Sequence, residues 1–481
     1  MSLLQLSGLD AGFLALETPR APMLVGGVSI LDGGTGKGRL TVERLRATLR
    51  PRLAAAVALR RQLAVVPLDL ARPYWTELAP ADVDLEAHVE RTELPAPGGW
   101  HELSALMAWE LSRPVDRRRP LWQMTFVEGV HLPGHPRGTV ALIGKVHHAA
   151  IDGVSGAEIL GVLFDGAREP ATAAVASPSR ASARPGAAAP GALELLARAG
   201  RDLSAVPLAA TAVVGRSLLG AAAGAWQRLR ADAAPPLPFT APKSALNRPL
   251  SGRLTWAPVA FPMARLKAVK TAFDASINDV VLAVCAGALR GWLADRGELP
   301  AAPLVAMVPV SVRADDERRR GGNLVSAMLV PLATDQAAAA TRLVRIRDAA
   351  RSSKVAHQAV GARTLLDSAD LLPFALSGLA AQLYSRLQLA RRHRPLFNVV
   401  ITNVPGPTQP LQVAGAPLLA HVGAAPLFDG LGLILTVMSY AGTMTIGITA
   451  DQQVMSDAAE LAARLEDSLS ELEDAAPQLT P

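Results

Sequence analysis

Residues 139–164 read TVALIGKVHHAAIDGVSGAEILGVLF, and the character of the chain changes twice within that stretch. The apolar run 139–146 has the composition of a buried strand, and 155–164 repeats its apolar residues at helical spacing. Between them stand His147, His148, Ala149, Ala150, Ile151, Asp152 and Gly153. A histidine set where a buried strand ends and a helix begins projects from a rigid scaffold, as a general base must. A neutral imidazole, with a reference pKa of about 6.5, can take the proton of an alcohol while the alcohol oxygen attacks an activated carbonyl. His148, the second of the pair, is the candidate base.

Working outward, Ser276, Ile277 and Asn278 lead into DVVLAVCAGALRGWLADRG, where Leu282, Cys285, Leu289 and Trp292 recur on one helical stripe. Asn278 is placed as an N-cap and Asp279 as a first-turn carboxylate favoured by the helix dipole. Segments 304–313, 323–332, 396–404, 431–440 and 443–451 read as strands, with helices over 338–359 and 456–473. The run PATAAVASPSRASARPGAAAP (170–190) holds almost nothing that fills a core and reads as a linker. An Ala/Leu-rich helical segment follows it to about 231, and a Pro-rich stretch over 234–252 precedes the next block. The expected division is 1–170, a bridge over 171–240, and 241–481, with mixed α/β structure in both halves.

Composition narrows the chemistry. The 481 residues are 50% hydrophobic and 19% charged, far from disordered or disulfide-stapled classes. One cysteine permits no intrachain disulfide and no Cys-built zinc or iron–sulfur site, which fits a reducing, cytoplasmic setting. The net charge of +6 comes with only six lysines among 48 basic residues and 4% aromatics, so nucleic-acid binding is not expected. The clusters Arg117-Arg118-Arg119, Arg318-Arg319-Arg320 and Arg391-Arg392-His393-Arg394 read first as solvated surface, with contact to phosphates or anionic headgroups as the rarer alternative. The N-terminus lacks a basic n-region and carries Asp10 where a signal peptide needs apolar residues. The apolar stretch 203–226 is broken by Pro207 and Arg216, which suits a helix lying on lipid or on the protein body rather than one spanning a bilayer.

Other signatures fail on inspection. GGTGKG at 33–38 lacks the spacing and the Ser or Thr of a phosphate loop and reads as a hairpin turn. GVSGA at 153–157 misses the nucleophile-elbow pattern at Ala157. His131 and His135 flank a Pro-Gly turn with no third ligand nearby, and Cys285 lies on an apolar stripe, so no metal site and no thiol nucleophile are expected.

HHAAIDG (147–153) resembles the HHxxxDG motif of the CoA-dependent acyltransferase superfamily, which includes chloramphenicol acetyltransferases and peptide-synthetase condensation domains. Further stretches resemble the bacterial wax ester synthase/acyl-CoA:diacylglycerol acyltransferase family: LSGLDAGFLALETPRAPMLVGG (6–27), SRPVDRRRPLW (112–122), SINDVVLAV (276–284), VPVSVR (308–313), ITNVPGP (401–407) and GLGLILTVMSY (430–440). They keep the family's order over nearly the whole chain. The Asp-Phe-Gly-Trp-Gly motif of plant relatives is absent, FDGLGL (428–433) standing nearest.

The resemblance implies two chloramphenicol-acetyltransferase-like domains with mixed sheets and an active-site tunnel at their interface. It implies direct acyl transfer from acyl-CoA, without a further cofactor, to diacylglycerol or a long-chain alcohol, with His148 as base. Asp152 and Gly153 would hold and bend the turn, and His147 would either position the base or simply pack. Asn278 and Asp279 match a site-shaping Asn-Asp motif that helix capping explains equally well. Pro120, Leu121 and Trp122 match a motif tied to scaffold and acyl-binding regions, and are as readily plain core. Asn278 or a backbone amide is a candidate for stabilising the oxyanion. Apolar substrates and the 203–226 stretch suggest a peripheral membrane or lipid-droplet surface as partner. The competing readings are transfer to another lipid or polyketide hydroxyl, and a non-catalytic lipid-surface protein.

Overall fold

The structure, a computed structural model, describes residues 4–150, 163–165, 191, 194–195, 239–311, 325–360 and 374–476. Asp152, Gly153, the linker 170–190, the stretch 203–226, Arg318-Arg319-Arg320 and all but the last two residues of the helix expected over 155–164 lie outside them.

The first half runs β1 (Leu4–Gln5), α1 (Gly8–Leu16), β2 (Leu24–Asp32), α2 (Val42–Arg52), β3 (Arg61–Ala64), β4 (Tyr74–Glu77), α3 (Leu85–His88), β5 (Val89–Glu93), α4 (Trp100–Leu111), β6 (Trp122–Glu128) and β7 (Thr139–His147). After the bridge come β8 (Leu254–Pro262), α5 (Met263–Ala272), α6 (Ile277–Asp295), β9 (Val305–Ser311), β10 (Val325–Pro331), α7 (Ala339–Val360) and α8 (Phe374–Arg386). The chain closes with β11 (Val399–Val404), β12 (Gln412–Val413), β13 (Ala416–Ala424), β14 (Leu433–Tyr440), β15 (Thr443–Asp451) and α9 (Ala459–Asp474). The five strands and two helices expected in the second half are present within a few residues at each end.

Two six-stranded mixed sheets result, ordered β12-β13-β2-β7-β6-β5 and β10-β9-β11-β14-β15-β8, with a small β1-β4-β3 sheet beside them. The halves are not separate in space. Strand β13 comes from the second half of the chain yet pairs antiparallel with β2, placing His421 opposite Ser29 and Gly423 opposite Gly27. The two large sheets touch there: a side chain on Gly447 would collide with the Gly423 carbonyl, so the close approach demands glycine. Trp256 of β8 reaches the core of the first half, and Tyr440 of β14 ties the Leu411 amide (2.8 Å) to the Leu418 carbonyl (3.0 Å).

Helix α6 is the buried axis of the second half. Leu282, Cys285, Leu289 and Trp292, the stripe read from sequence, are sequestered among α7, α9 and the sheet, and so are most residues between them. Its length and hydropathy would suit a membrane span, but 67% of it is buried inside the protein, the signature of a core helix. Burial pushes the Cys285 thiol up to about 12, leaving it an inert packing group. Asn278 is not the N-cap of this helix. Ser276 is: its hydroxyl takes the Asp279 amide (3.1 Å) while the Asp279 carboxylate accepts from the Ser276 amide (2.8 Å), a closed capping box. GGTGKG likewise forms no hairpin; it connects β2 to α2 through a short turn at Gly36–Gly38.

Candidate active site

Strand β7 sits inside its sheet, hydrogen-bonded to β2 on one side and β6 on the other. Its side chains alternate between two faces. One face carries Ala141, Ile143, Lys145 and His147, all buried, and α4 packs over it. Lys145 is sealed there with its charge matched: Nζ donates to Glu110 Oε2 (2.7 Å) and to the Glu110 carbonyl (2.9 Å), while Thr125 donates to Glu110 Oε1 (2.8 Å). Burial dominates the Lys145 ammonium and lowers its pKa, with Glu110 partly compensating.

The opposite face opens progressively. Val140 and Leu142 are buried, whereas Gly144, Val146 and, just past the strand end, His148 keep partial exposure. On a strand paired on both sides, partial exposure at these three positions leaves that end of the face incompletely covered by the described residues. A methyl carbon on Gly144 would meet nothing within 4 Å among the described residues. Gly144 lies in register with Met124, which with Trp122, Leu53 and Leu59 lines a small apolar hollow. From His148 back to Gly144 is four residues, roughly 13 Å of extended chain.

Helix α1 fixes both histidines from one face. Ser7 caps it by accepting the Asp10 amide (3.1 Å), and Phe13 and Glu17 follow four residues apart on the same side. Phe13 stacks on the His148 ring at 3.7 Å between centroids, and the His148 amide donates to the Met23 carbonyl at 2.9 Å. Glu17 Oε2 lies 3.2 Å from His147 Nε2, at a bent angle, and the Ala149 amide donates to His147 Nδ1 at 3.1 Å. Because Nδ1 is an acceptor, the hydrogen of neutral His147 belongs on Nε2, facing Glu17. Arg117 completes the arrangement, its Nε donating to Glu17 Oε2 (3.0 Å) and its Nη2 to the Leu14 carbonyl (3.2 Å). Burial alone would raise the Glu17 carboxyl, but the His147 and Arg117 contacts outweigh it and hold it below the usual carboxylate range.

His148 differs from its neighbour. Its Nδ1 is buried with no hydrogen-bond partner among the described residues, and burial pushes the ring down to about 4, so the imidazole is neutral at physiological pH. A neutral, half-buried histidine at the mouth of an apolar strip can accept a proton and, once charged, has a strong drive to pass it on.

The other expected site residues fall into two groups. Pro120 and Leu121 are buried and the Leu121 carbonyl accepts the His147 amide (2.9 Å), while Trp122 donates from Nε1 to the Leu59 carbonyl (2.8 Å) and stacks on His88. Leu121 thereby braces the strand end, and Trp122 lines the hollow beside Gly144. Asn278, released from capping, accepts from Asn403 Nδ2 at 3.4 Å, which joins the SINDV and ITNVPG stretches. Asp279 is occupied by the capping box. Sequence reasoning missed Phe13, Glu17 and Arg117. It placed Arg117 with its neighbours as solvated surface, and no local pattern links residues 100 positions apart. The signals available were the Phe13–Glu17 spacing on a capped helix and the family resemblance of 6–27 and 112–122, which hold all three residues.

Known proteins resemble this chain in sequence and in fold. Residues 6–281 match the wax ester synthase/diacylglycerol acyltransferase catalytic domain, and residues 321–473 match the WS/DGAT C-terminal domain. Two proteins of Mycobacterium tuberculosis strain CDC 1551, named by inference as diacylglycerol O-acyltransferases, are 35% and 36% identical to the chain. The first alignment covers 97% of this chain and 90% of the relative, the second 98% and 99%. The solved wax ester synthase/diacylglycerol acyltransferase of Marinobacter aquaeolei VT8 superposes with a TM-score of 0.67 at 26% identity, over 98% of this chain and 99% of that one. The starter condensation domain of rhizomide synthetase shares the fold at 16% identity and a TM-score of 0.55, over 98% of this chain and 95% of that one. The chain belongs to the wax ester synthase/diacylglycerol acyltransferase family and is an acyltransferase with two mixed α/β halves of the condensation-domain type.

Proposed function

We propose that the protein moves a long-chain acyl group from acyl-CoA to the hydroxyl of diacylglycerol, a long-chain alcohol, or both, with His148 as general base. The observation that carries this reading is His148 itself: a neutral ring, stacked on Phe13, at the open end of a strip that stays accessible to Gly144. In the reaction, His148 takes the hydroxyl proton as the alcohol oxygen bonds to the thioester carbon. The tetrahedral oxyanion then collapses, the carbon–sulfur bond breaks, and the imidazolium returns the proton to the departing CoA sulfur. Asn278 keeps its amide hydrogens unpaired among the described residues and, with backbone amides, is a candidate donor to the oxyanion.

His147 acts as a positioning residue in this reading. Its Nδ1 holds the Ala149 amide and its Nε2 faces Glu17, so the backbone on either side of His148 is tied down. Preorganising the base costs nothing at the moment of reaction. The open face of β7 lodges an apolar chain from one substrate, with Gly144 as floor and Leu142 as end wall.

Purified protein incubated with radiolabelled palmitoyl-CoA and either dioleoylglycerol or hexadecanol tests the reading. Labelled triacylglycerol or wax ester is expected from wild type, and a loss of about 100-fold or more from His148→Ala. Equal product from both proteins removes His148 as base. Label reaching neither acceptor but only another lipid hydroxyl in a supplied extract moves the acceptor.

A further inference from the structure

We propose that α8 and the turn at Leu68 form one docking face for an anionic phospholipid bilayer, set directly over the helix that holds His148. Leu379, Leu383 and Leu387 follow at intervals of four along one side of α8 and its end, and they are 53%, 45% and 54% exposed. Leucines at that spacing normally face a core; here they face solvent.

The turn Pro67–Asp69, which touches α8, raises Leu68 to 85% exposure on a backbone with φ of 60°. Leucine adopts that left-handed conformation only against steric cost, and an apolar side chain gains nothing from water in return. Strain and exposure at one residue indicate a partner that takes up the side chain.

Charge identifies the partner. From Phe374 to Phe397 the chain has no Asp or Glu, while Arg386, Arg391, Arg392 and Arg394 are all exposed and make no ion pair among the described residues. Among the described residues, the acidic groups by this face include Asp69 on the turn and Asp429, whose carboxylate already accepts the Leu250 amide. A leucine ridge rimmed by unpaired arginines complements an anionic interface, where each arginine strengthens binding by roughly fivefold.

The face is also well placed. Helix α8 packs on α1, the helix whose Phe13 stacks on His148. Docking there would set the reaction centre within one helix layer of the lipid, and it would do so whichever hydroxyl is acylated.

Flotation of the full-length chain with phosphatidylcholine vesicles, with and without about a third phosphatidylglycerol, tests the proposal. Wild type should float with the anionic vesicles and detach as salt rises. A variant with Leu379→Ser, Leu383→Ser and Leu387→Ser should bind at least tenfold more weakly with an unchanged melting temperature. Replacing the four arginines by Gln should abolish the preference for phosphatidylglycerol. Leu68→Gly should weaken binding while melting no lower than wild type, because it removes the left-handed constraint; a leucine kept there for packing would melt lower. Binding of the triple-serine variant equal to wild type, or no vesicle binding by wild type, overturns the proposal.

Discussion

The two faces of strand β7 differ in what they are built to do. One is sealed by α4, its only charge satisfied by Glu110 and its end occupied by His147 held between Glu17 and the Ala149 amide. The other opens from Leu142 through Gly144 and Val146 to His148, whose buried Nδ1 has no partner among the described residues. Alternation along nine residues thus separates the face that stabilises the sheet from the face that handles substrate. The adjacent histidines part where the strand ends: His147 is the last residue of β7, on its sealed face, and His148 opens a short 3-10 turn.

Breaking the sealed face should unfold the protein rather than poison it. Lys145→Met leaves the Glu110 carboxylate buried without its cation, at an expected cost of about 3–5 kcal/mol, read as a fall in denaturation midpoint. Replacing both partners by apolar residues of similar volume should recover most of that loss. A midpoint unchanged in Lys145→Met would show that the face is not sealed.

Altering the open face should change selectivity while the fold survives. Gly144→Leu places a branched side chain across the strip, and the ratio of long-chain to short-chain product should fall by about tenfold or more. Product distributions by mass spectrometry decide this, and an unchanged distribution would place the chain elsewhere. Between the faces lies the α1 clamp. Glu17→Gln keeps the shape of the side chain but removes the carboxylate that orients His147, so kcat should fall by about tenfold with little change in KM for acyl-CoA. A change confined to KM would mean that Glu17 contacts substrate instead.

The mildest prediction for function concerns stability against pH, which leaves the site's residues in place. The folded pKa of His148 and of His421, which is buried beside Ser29 at 2.9 Å, is lowered to about 4 in each case. The unfolded chain protonates these groups first, from about pH 6.5 downward. Stability should therefore decline between about pH 6.5 and 4, by at most about 3 kcal/mol per histidine, and by less for the partly exposed His148. Replacing His421 by an apolar residue should flatten that slope.

Much of this was legible in the sequence. The strand before His147, the apolar stripe of α6 and the strands of the second half follow from periodicity, because each is regular and bounded by turn residues. Strand β13 was not, since Ala416–Ala424 is built of Ala, Leu, Gly, one Pro and a buried His with a single Val, and strand preference is weak along it. That composition is what the close contact of two sheets requires at Gly423. The cap of α6 was misassigned to Asn278 although Ser276 and Asp279 stand at capping-box spacing, a pattern that could have been read. The Glu17–Arg117 contact had no such signal, because only the fold brings α1 against the loop before β6.

The pH dependence of kcat/KM tests the central claim most directly, namely that the open face of β7 presents His148 as a neutral base. With protein shown to keep its activity after incubation at each pH, the rate should stay level from about pH 8 down to 5 and fall only toward the His148 pKa of about 4. A half-loss near pH 6.5, the value of an unburied imidazole, would contradict it.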